Sequence, residues 1–259
     1  MLSHVSLDSI VWAAMSSAAS VYFLGFRFDT GSIEEVVPNI SAETRACFKY
    51  VLTPNAHGIV RLLDDPITMR PLFERAWRVF CDSRVLSRLA WFGGVNLPVV
   101  TGSDLTAQLI VRAAELRLTI ALVGPTAADC ALLTTKYPGL GVVFHTPPMG
   151  FGKSKDEVQK CIDFVVNTQA PLIFLAVGTP QQEILAREIA DQSQARGVGL
   201  CVGASIDFLT GKQRRAPVWV QKAGLEWLYR LLSDPRRLAS RYLIECPRIF
   251  YHCWKRRNR

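Results

Sequence analysis

The sequence predicts an α/β protein: a Rossmann-like, mostly parallel sheet with helices on both faces, followed by a basic helical C-terminal appendage. Three observations predict it. From Leu118 onward, short apolar runs alternate with helical segments, the pattern of parallel strands joined by right-handed crossovers. Two of those runs, Leu172–Val177 and Val198–Val202, are apolar throughout, as strands covered on both faces must be. Past Pro217 the strands stop and the cations gather. From Lys212 to Arg259 there are thirteen Lys or Arg against three acids, which leaves −2 on the preceding 211 residues of a chain whose net charge is +8. The boundaries follow as a lead-in over 1–20, a core over 21–217 and an appendage over 218–259.

Taken in order, Ile10 to Phe26 carries no charge, yet its serines and its length rule out a span; it reads as a flexible or helical lead-in and then a strand at Val21–Phe26. A helix starts at Ser32, with Glu34 and Glu35 favourable in its first turn. The run CFKYVLTPN is a strand that must stop at Thr53, because a residue before proline is pushed out of the helical region. Helices are expected over Ala56–Leu63 and Pro66–Phe80. A further apolar set from Val85 to Trp91 has helical spacing.

LPVVTGSDL reads as a short strand and a helix capped by Ser103 or Asp104. Strands follow at Leu118–Val123, Gly141–His145, Leu172–Val177 and Val198–Val202, with helices at Thr126–Tyr137, Lys155–Thr168 and Pro180–Gln194 between them. The appendage predicts one helix over Trp219–Leu232, stopped by Asp234–Pro235, and another over Arg236–Glu245, ended by Pro247.

Composition narrows the function. Hydrophobic residues make up 49% of the chain, enough for a sizeable core, and charged residues 20%. The seven cysteines are scattered and never spaced as CxxC, which argues against both a zinc site and a disulfide framework and points to a reducing compartment. Aromatics interleave with cations in the tail, a mixture suited to an anionic membrane surface, although a solvated basic helix or a nucleic-acid contact would have the same composition. No GxGxxG turn follows a strand. The Gly150–Ser154 stretch fails as a phosphate loop because Pro147 stands where the first glycine is needed. There is no HExxH, no GxSxG and no Asp-x-Asp pair, so no metal site is expected and any diphosphate must be met by Arg and Lys.

The candidate residues lie where strands end, since ligands of open α/β sheets bind at the carboxyl edge. Thr53 and Asn55 either orient a sugar or simply make a turn. Asp82, after a largely apolar run, is either a general base or the partner of Arg84. Gly102 with Asp104, and Gly124, mark turns that either touch phosphate or ribose or merely cap helices. Gly178, Gln182 and Glu183 open another edge helix; Gln182 suits a sugar hydroxyl or a uracil, and Glu183 suits either that or a first-turn cap. Asp207 follows the last core strand. Arg214, Arg215, Arg230, Arg237 and Arg241 are candidates for a diphosphate, because guanidinium forks match phosphate oxygens.

Four stretches, TPN at Thr53–Asn55, TGSDL at Thr101–Leu105, VGTPQQE at Val177–Glu183 and the long run from Val202 to Leu243, resemble the WecG/TagA/CpsF glycosyltransferases (glycosyltransferase family 26). The likeness extends from about Leu24 to Leu243. It implies an inverting, metal-independent transferase without cofactor, moving a hexose or N-acetylhexosamine from a UDP-sugar to a polyprenyl-diphosphate-linked saccharide for cell-surface polysaccharide. The work would be done at the cytoplasmic face of the inner membrane by a peripheral protein without a nucleic-acid partner, and self-association stays open. On this likeness Asp82 matches the acidic residue proposed as catalytic base, Thr53 and Asn55 the active-site strand end, Gln182 the glutamine of the G-x-P-x-Q-E signature and Asp207 the aspartate of the segment after the last core strand. Arg230, Arg237 and Arg241 match appendage arginines that meet the diphosphate. Relatives usually have glycine after the aspartate; this chain has Ser83 and then Arg84. The alternative is a non-catalytic membrane-surface module that binds nucleotide or lipid phosphates.

Overall fold

The computed structural model describes residues 19–43 and 46–257. The lead-in therefore lies outside the described residues, apart from its last two. The sheet has six strands in the order β4-β3-β8-β7-β5-β6, every pair of them parallel: β3 (Lys49–Leu52), β4 (Arg78–Val79), β5 (Thr119–Val123), β6 (Gly141–His145), β7 (Leu172–Leu175) and β8 (Val198–Cys201). The strands carry alternate side chains to two separate cores. Tyr50, Ala121, Ile173, Leu175 and Cys201 enter one, while Val51, Ile120, Leu122, Phe174 and Leu200 enter the other. Period-two alternation between two apolar layers is why these runs contain almost no polar residue. The Rossmann-like architecture is thus as the sequence predicts.

Four departures bear on the site. The expected strand Val21–Phe26 is instead a hairpin of β1 (Ser20–Phe23) and β2 (Phe26–Asp29), turned at Leu24 and Gly25, both at positive φ. Positive φ at both central residues is the two-residue hairpin turn, and Leu-Gly is a weak sequence signal for it. The helix expected to run to Phe80 ends at Arg75, where Ala76 turns extended, and β4 follows. The periodicity suits a helix, but pairing with β3 wins. The buried carboxylate of Asp29 helps, accepting from the Val79 backbone N–H at 2.8 Å and from Arg78 at 2.9 Å. The short strand expected in LPVV is only a single bridge between Cys81 and Val99, and the helix that follows begins at Gly102 with Thr101 as its cap, not Ser103 or Asp104.

The appendage is also more broken than predicted. The helix expected over Trp219–Leu232 is two, Val218–Ala223 and Glu226–Ser233, separated at Gly224, which is left-handed. Its φ of +74° is a backbone conformation that favours glycine. Pro235–Ala239 runs into a π-turn over Ser240–Glu245, and a last helix, Arg248–Arg257, continues beyond Pro247. Core and appendage are tied by His57 to Glu245 at 2.7 Å, by Arg248 and His252 to Asp64 at 2.8 and 3.1 Å, and by burial of Ile249 and Leu231.

Candidate active site

The carboxyl ends of β3, β4, β7 and β8 converge on one cleft. After β3 the chain extends through Thr53 and Pro54, and Asn55 caps the next helix, its side chain accepting from the Gly58 N–H at 3.2 Å. The β4 ladder outlasts the strand. Phe80 N–H donates to Leu52 O at 2.9 Å and Asp82 N–H to Pro54 O at 3.0 Å, which fixes Asp82 beside Thr53 and Asn55. Gly102 closes the group from the opposite helix. A Cβ at Gly102 would stand 2.5 Å from Thr53 Oγ1 and 3.5 Å from Asp82 Oδ2, so only glycine admits both side chains there. Its own N–H donates to the Asp82 carboxylate.

Two cavities meet at this point. A polar one of about 370 Å³ runs over the strand ends, lined by Thr53, Gly178, Gly203, Asp207, Gln213, Arg237 and Arg241. An apolar one of about 250 Å³ lies between core and appendage, lined by Val85, Val99, Trp227, Tyr242 and Phe250. Asn55, His57, Asp82 and Arg230 line both. Burial pushes the Asp82 carboxyl up to about 7; Arg230 opposes this, Glu226 adds to it, and the Gly102 N–H and Arg215 oppose it further. A carboxylate with this affinity for protons can accept one from a hydroxyl near neutral pH, whereas an exposed aspartate is far too weak a base. Arg84 is exposed and forms no ion pair with Asp82 among the described residues, so the alternative of a quenching Arg84 partner does not arise.

The arginines separate into groups. Arg230 is held on two sides, by Glu226 at 2.8 Å and by the Phe208 ring at 4.9 Å, and so presents a fixed guanidinium to the cleft. Arg241 lines the cleft with its Nε buried and without a hydrogen-bond partner among the described residues. Arg237 lines it too while paired to Asp234 at 2.5 Å. Arg214 is exposed and lines neither cavity, unlike the expectation that it faces a ligand. Arg215 points inward and pairs with Asp104. Burial works against ionised Asp104, but hydrogen bonds from Arg215 and Thr101 win and hold it below the usual carboxylate range. Asp104 is therefore the anchor of Arg215 rather than part of the cleft wall.

Gln182 lines the polar cavity, with its side-chain amide held by neighbouring groups. It is buried; its Nε2 donates to Glu183 Oε1 at 2.9 Å, and its Oε1 accepts from the Gly203 N–H at 2.9 Å. It braces the β7 turn against the β8 turn. Glu183, buried with its carboxyl raised by desolvation, also accepts from Thr179 at 2.9 Å, so it supports the brace rather than acting as a simple helix cap. Gly178, at positive φ, and Asp207, which accepts from Gln213 at 3.1 Å, line the polar cavity. Gly124 lies under it: its added Cβ would meet Ala176 O at 2.7 Å, so the position serves strand-to-strand approach and lines neither cavity.

His57, Glu226 and Phe208 were not singled out by the sequence reading. The spacing of Glu226, Trp227 and Arg230, one turn of one helix, was a usable signal for the Glu226–Arg230 pair. Nothing in the sequence marks His57.

The α/β fold thus sets a buried carboxyl between an arginine-walled polar cleft on one side and an apolar cavity on the other. A model of the glycosyl transferase WecG/TagA/CpsF family matches residues 21–259, nearly the whole chain. The chain belongs to the WecG/TagA/CpsF glycosyltransferase family, and is a glycosyltransferase of cell-surface polysaccharide synthesis. Among the described residues no helix is long and apolar enough to cross a membrane.

Proposed function

We propose that this protein transfers a hexose or N-acetylhexosamine, with inversion, from a UDP-sugar to a polyprenyl-diphosphate-linked saccharide, working as a peripheral protein on the cytoplasmic face of the inner membrane. The observation that carries the reading is the position of Asp82 where the polar and apolar cavities meet, with a proton affinity near 7. The sugar nucleotide takes the polar cavity and the lipid-linked acceptor enters through the apolar one.

In the reaction, the Asp82 carboxylate removes the proton of the acceptor hydroxyl. The oxygen bonds to the anomeric carbon from the face opposite the nucleotide. The bond from that carbon to the β-phosphate oxygen breaks, and its electron pair leaves with UDP. Thr53 and Asn55 position the sugar, and Asp207 takes the nucleoside end. Arg230 and Arg241, with Arg237 at the rim, receive the charge that grows on the diphosphate, the kind of preorganised electrostatics that supplies much of enzymatic acceleration. The reading gives that charge to guanidinium groups alone, since Arg230, Arg237 and Arg241 all line the polar cavity.

The test is a panel of UDP-sugars incubated with a short-chain lipid-diphosphate acceptor in the presence of EDTA, with UDP release measured. One donor turning over steadily is expected. Binding of donor and acceptor with no UDP released from any pair would favour the non-catalytic module, and turnover abolished by EDTA would overturn the metal-free route.

A further inference from the structure

The core itself presents an aromatic face beside the appendage. The helix Arg84–Phe92 turns Leu86 and Ala90 into the core and leaves Arg84, Arg88, Trp91 and Phe92 outward. These fall at i, i+4, i+7 and i+8, a single helical stripe. Trp91 is 69% and Phe92 73% exposed, their rings packed edge to face with centroids 5.2 Å apart. Two adjacent large aromatics this open to water are not explained by the core beneath them. The stripe is joined to the appendage: Arg88 donates to Ala223 O at 3.0 Å, at the end of the helix whose Val218 and Trp219 are also exposed.

We propose that Trp91 and Phe92 insert into the interface of an anionic phospholipid bilayer, so that the core docks on the membrane together with the appendage. The inference rests on the peripheral-membrane reading above and adds to it a second point of attachment. Charge selects this partner. The helix Arg84–Phe92 contains two arginines and no acid, and the neighbouring Val218–Ala223 contains Lys222 and no acid. Aromatics at headgroup depth ringed by cations match an anionic lipid surface. A two-fold contact with a second copy would set these cations against one another, which is unfavourable.

The placement also bears on the acceptor. Arg84 and Val85 from this helix wall one side of the apolar cavity, and Gly224, Trp227 and Phe250 from the appendage wall another. Attachment on both sides holds the cavity against the bilayer, where a lipid-linked substrate can enter it without leaving the membrane.

The experiment is co-sedimentation of the full chain with vesicles of phosphatidylcholine, with and without phosphatidylglycerol, for the wild type, Trp91→Ser/Phe92→Ser and Trp219→Ser. The double variant is expected to bind anionic vesicles about tenfold or more weakly, since two large aromatic side chains leave the interface. It should keep its melting temperature and its turnover on a short-chain, water-soluble acceptor. Unchanged vesicle affinity in the double variant, with the wild type binding, overturns the inference and leaves the appendage as the sole anchor. A wild type that ignores anionic vesicles overturns the membrane reading itself. A dimeric wild type whose double variant is monomeric yet sediments normally assigns the patch to a second copy and also overturns the inference. Should the double variant lose stability, Phe92→Ser alone asks the same question at smaller amplitude, and unchanged affinity there again overturns the inference.

Discussion

Replacing Asp82 with Asn should slow transfer sharply and, above neutral pH, stabilise the fold. The two effects have one cause. The carboxyl is set against apolar walls, and burial raises its ionisation to about 7 from a reference of 3.8. Between those values the native state holds a proton that the unfolded chain has released, so stability falls as pH rises from about 4 and levels off past 7. The full difference corresponds to about 4 kcal/mol as an upper bound, and because Asp82 lines two open cavities the measured value should be smaller. Asn keeps an oxygen for the Gly102 N–H and cannot ionise. Asp82→Asn should therefore melt higher than the wild type at pH 8 and much like it at pH 4. Turnover should fall by about 10²–10⁴-fold, the usual contribution of a general base, while UDP still binds. The wild type should gain kcat/KM as pH rises through about 7, and the variant should lack that limb. Paired melting curves and a pH profile of UDP release test this. Turnover within a few-fold of wild type, or a variant that melts lower at pH 8, would refute the assignment.

Arg230→Ala should lower donor kcat/KM by about 10²-fold, as loss of one preorganised donor to a developing anion does, and should make Asp82 harder to ionise, so the pH limb moves to higher pH; a limb that stays in place would separate Arg230 from Asp82. Gly102→Ala should reduce turnover sharply although alanine favours helix by about 1 kcal/mol, because its Cβ would meet Thr53 Oγ1 at 2.5 Å; normal kinetics would show that the Thr53–Asp82 approach is not needed. Gln182→Ala strips a hydrogen bond from the Gly203 N–H and from Glu183, with an expected loss of about 1–3 kcal/mol in urea unfolding and a raised KM for donor; unaltered stability would argue that the two turns hold each other without the brace.

Much of the architecture was legible because one signal, apolar runs alternating with helical ones, reports directly on a two-sided parallel sheet. Gly141–His145 and Lys155–Thr168 have the limits that punctuation by glycine, proline and serine implies. The misreadings fall where a long-range partner overrides a local preference. Residues Arg78 and Val79 have helical periodicity behind them, yet a two-residue ladder to Val51 and Leu52, backed by the Asp29 carboxylate, draws them into the sheet. That pairing carries Asp82 to the strand edge, so the least predictable strand positions the proposed base. Side-chain direction was equally hidden. Gln182 and Arg214 sit in stretches rich in candidate ligand residues; Gln182 lines the polar cavity while bracing the neighbouring turn, whereas Arg214 faces solvent.

The same logic explains why the site straddles core and appendage. Arg230 is useful to Asp82 only if the helix Glu226–Ser233 is pressed against Phe208, and that contact depends on ties made elsewhere, at His57, Asp64 and Arg88. His57 is the tie nearest the chemistry: it lines both cavities, and burial together with Arg241 holds its ionisation below the usual histidine range, against the pull of Glu245. A neutral ring can still share a proton with the Glu245 carboxylate, so the tie survives at neutral pH without placing another cation beside Arg241. Arg230 and Arg241 come from the appendage and Asp82 from the core, and the three meet around the polar cavity.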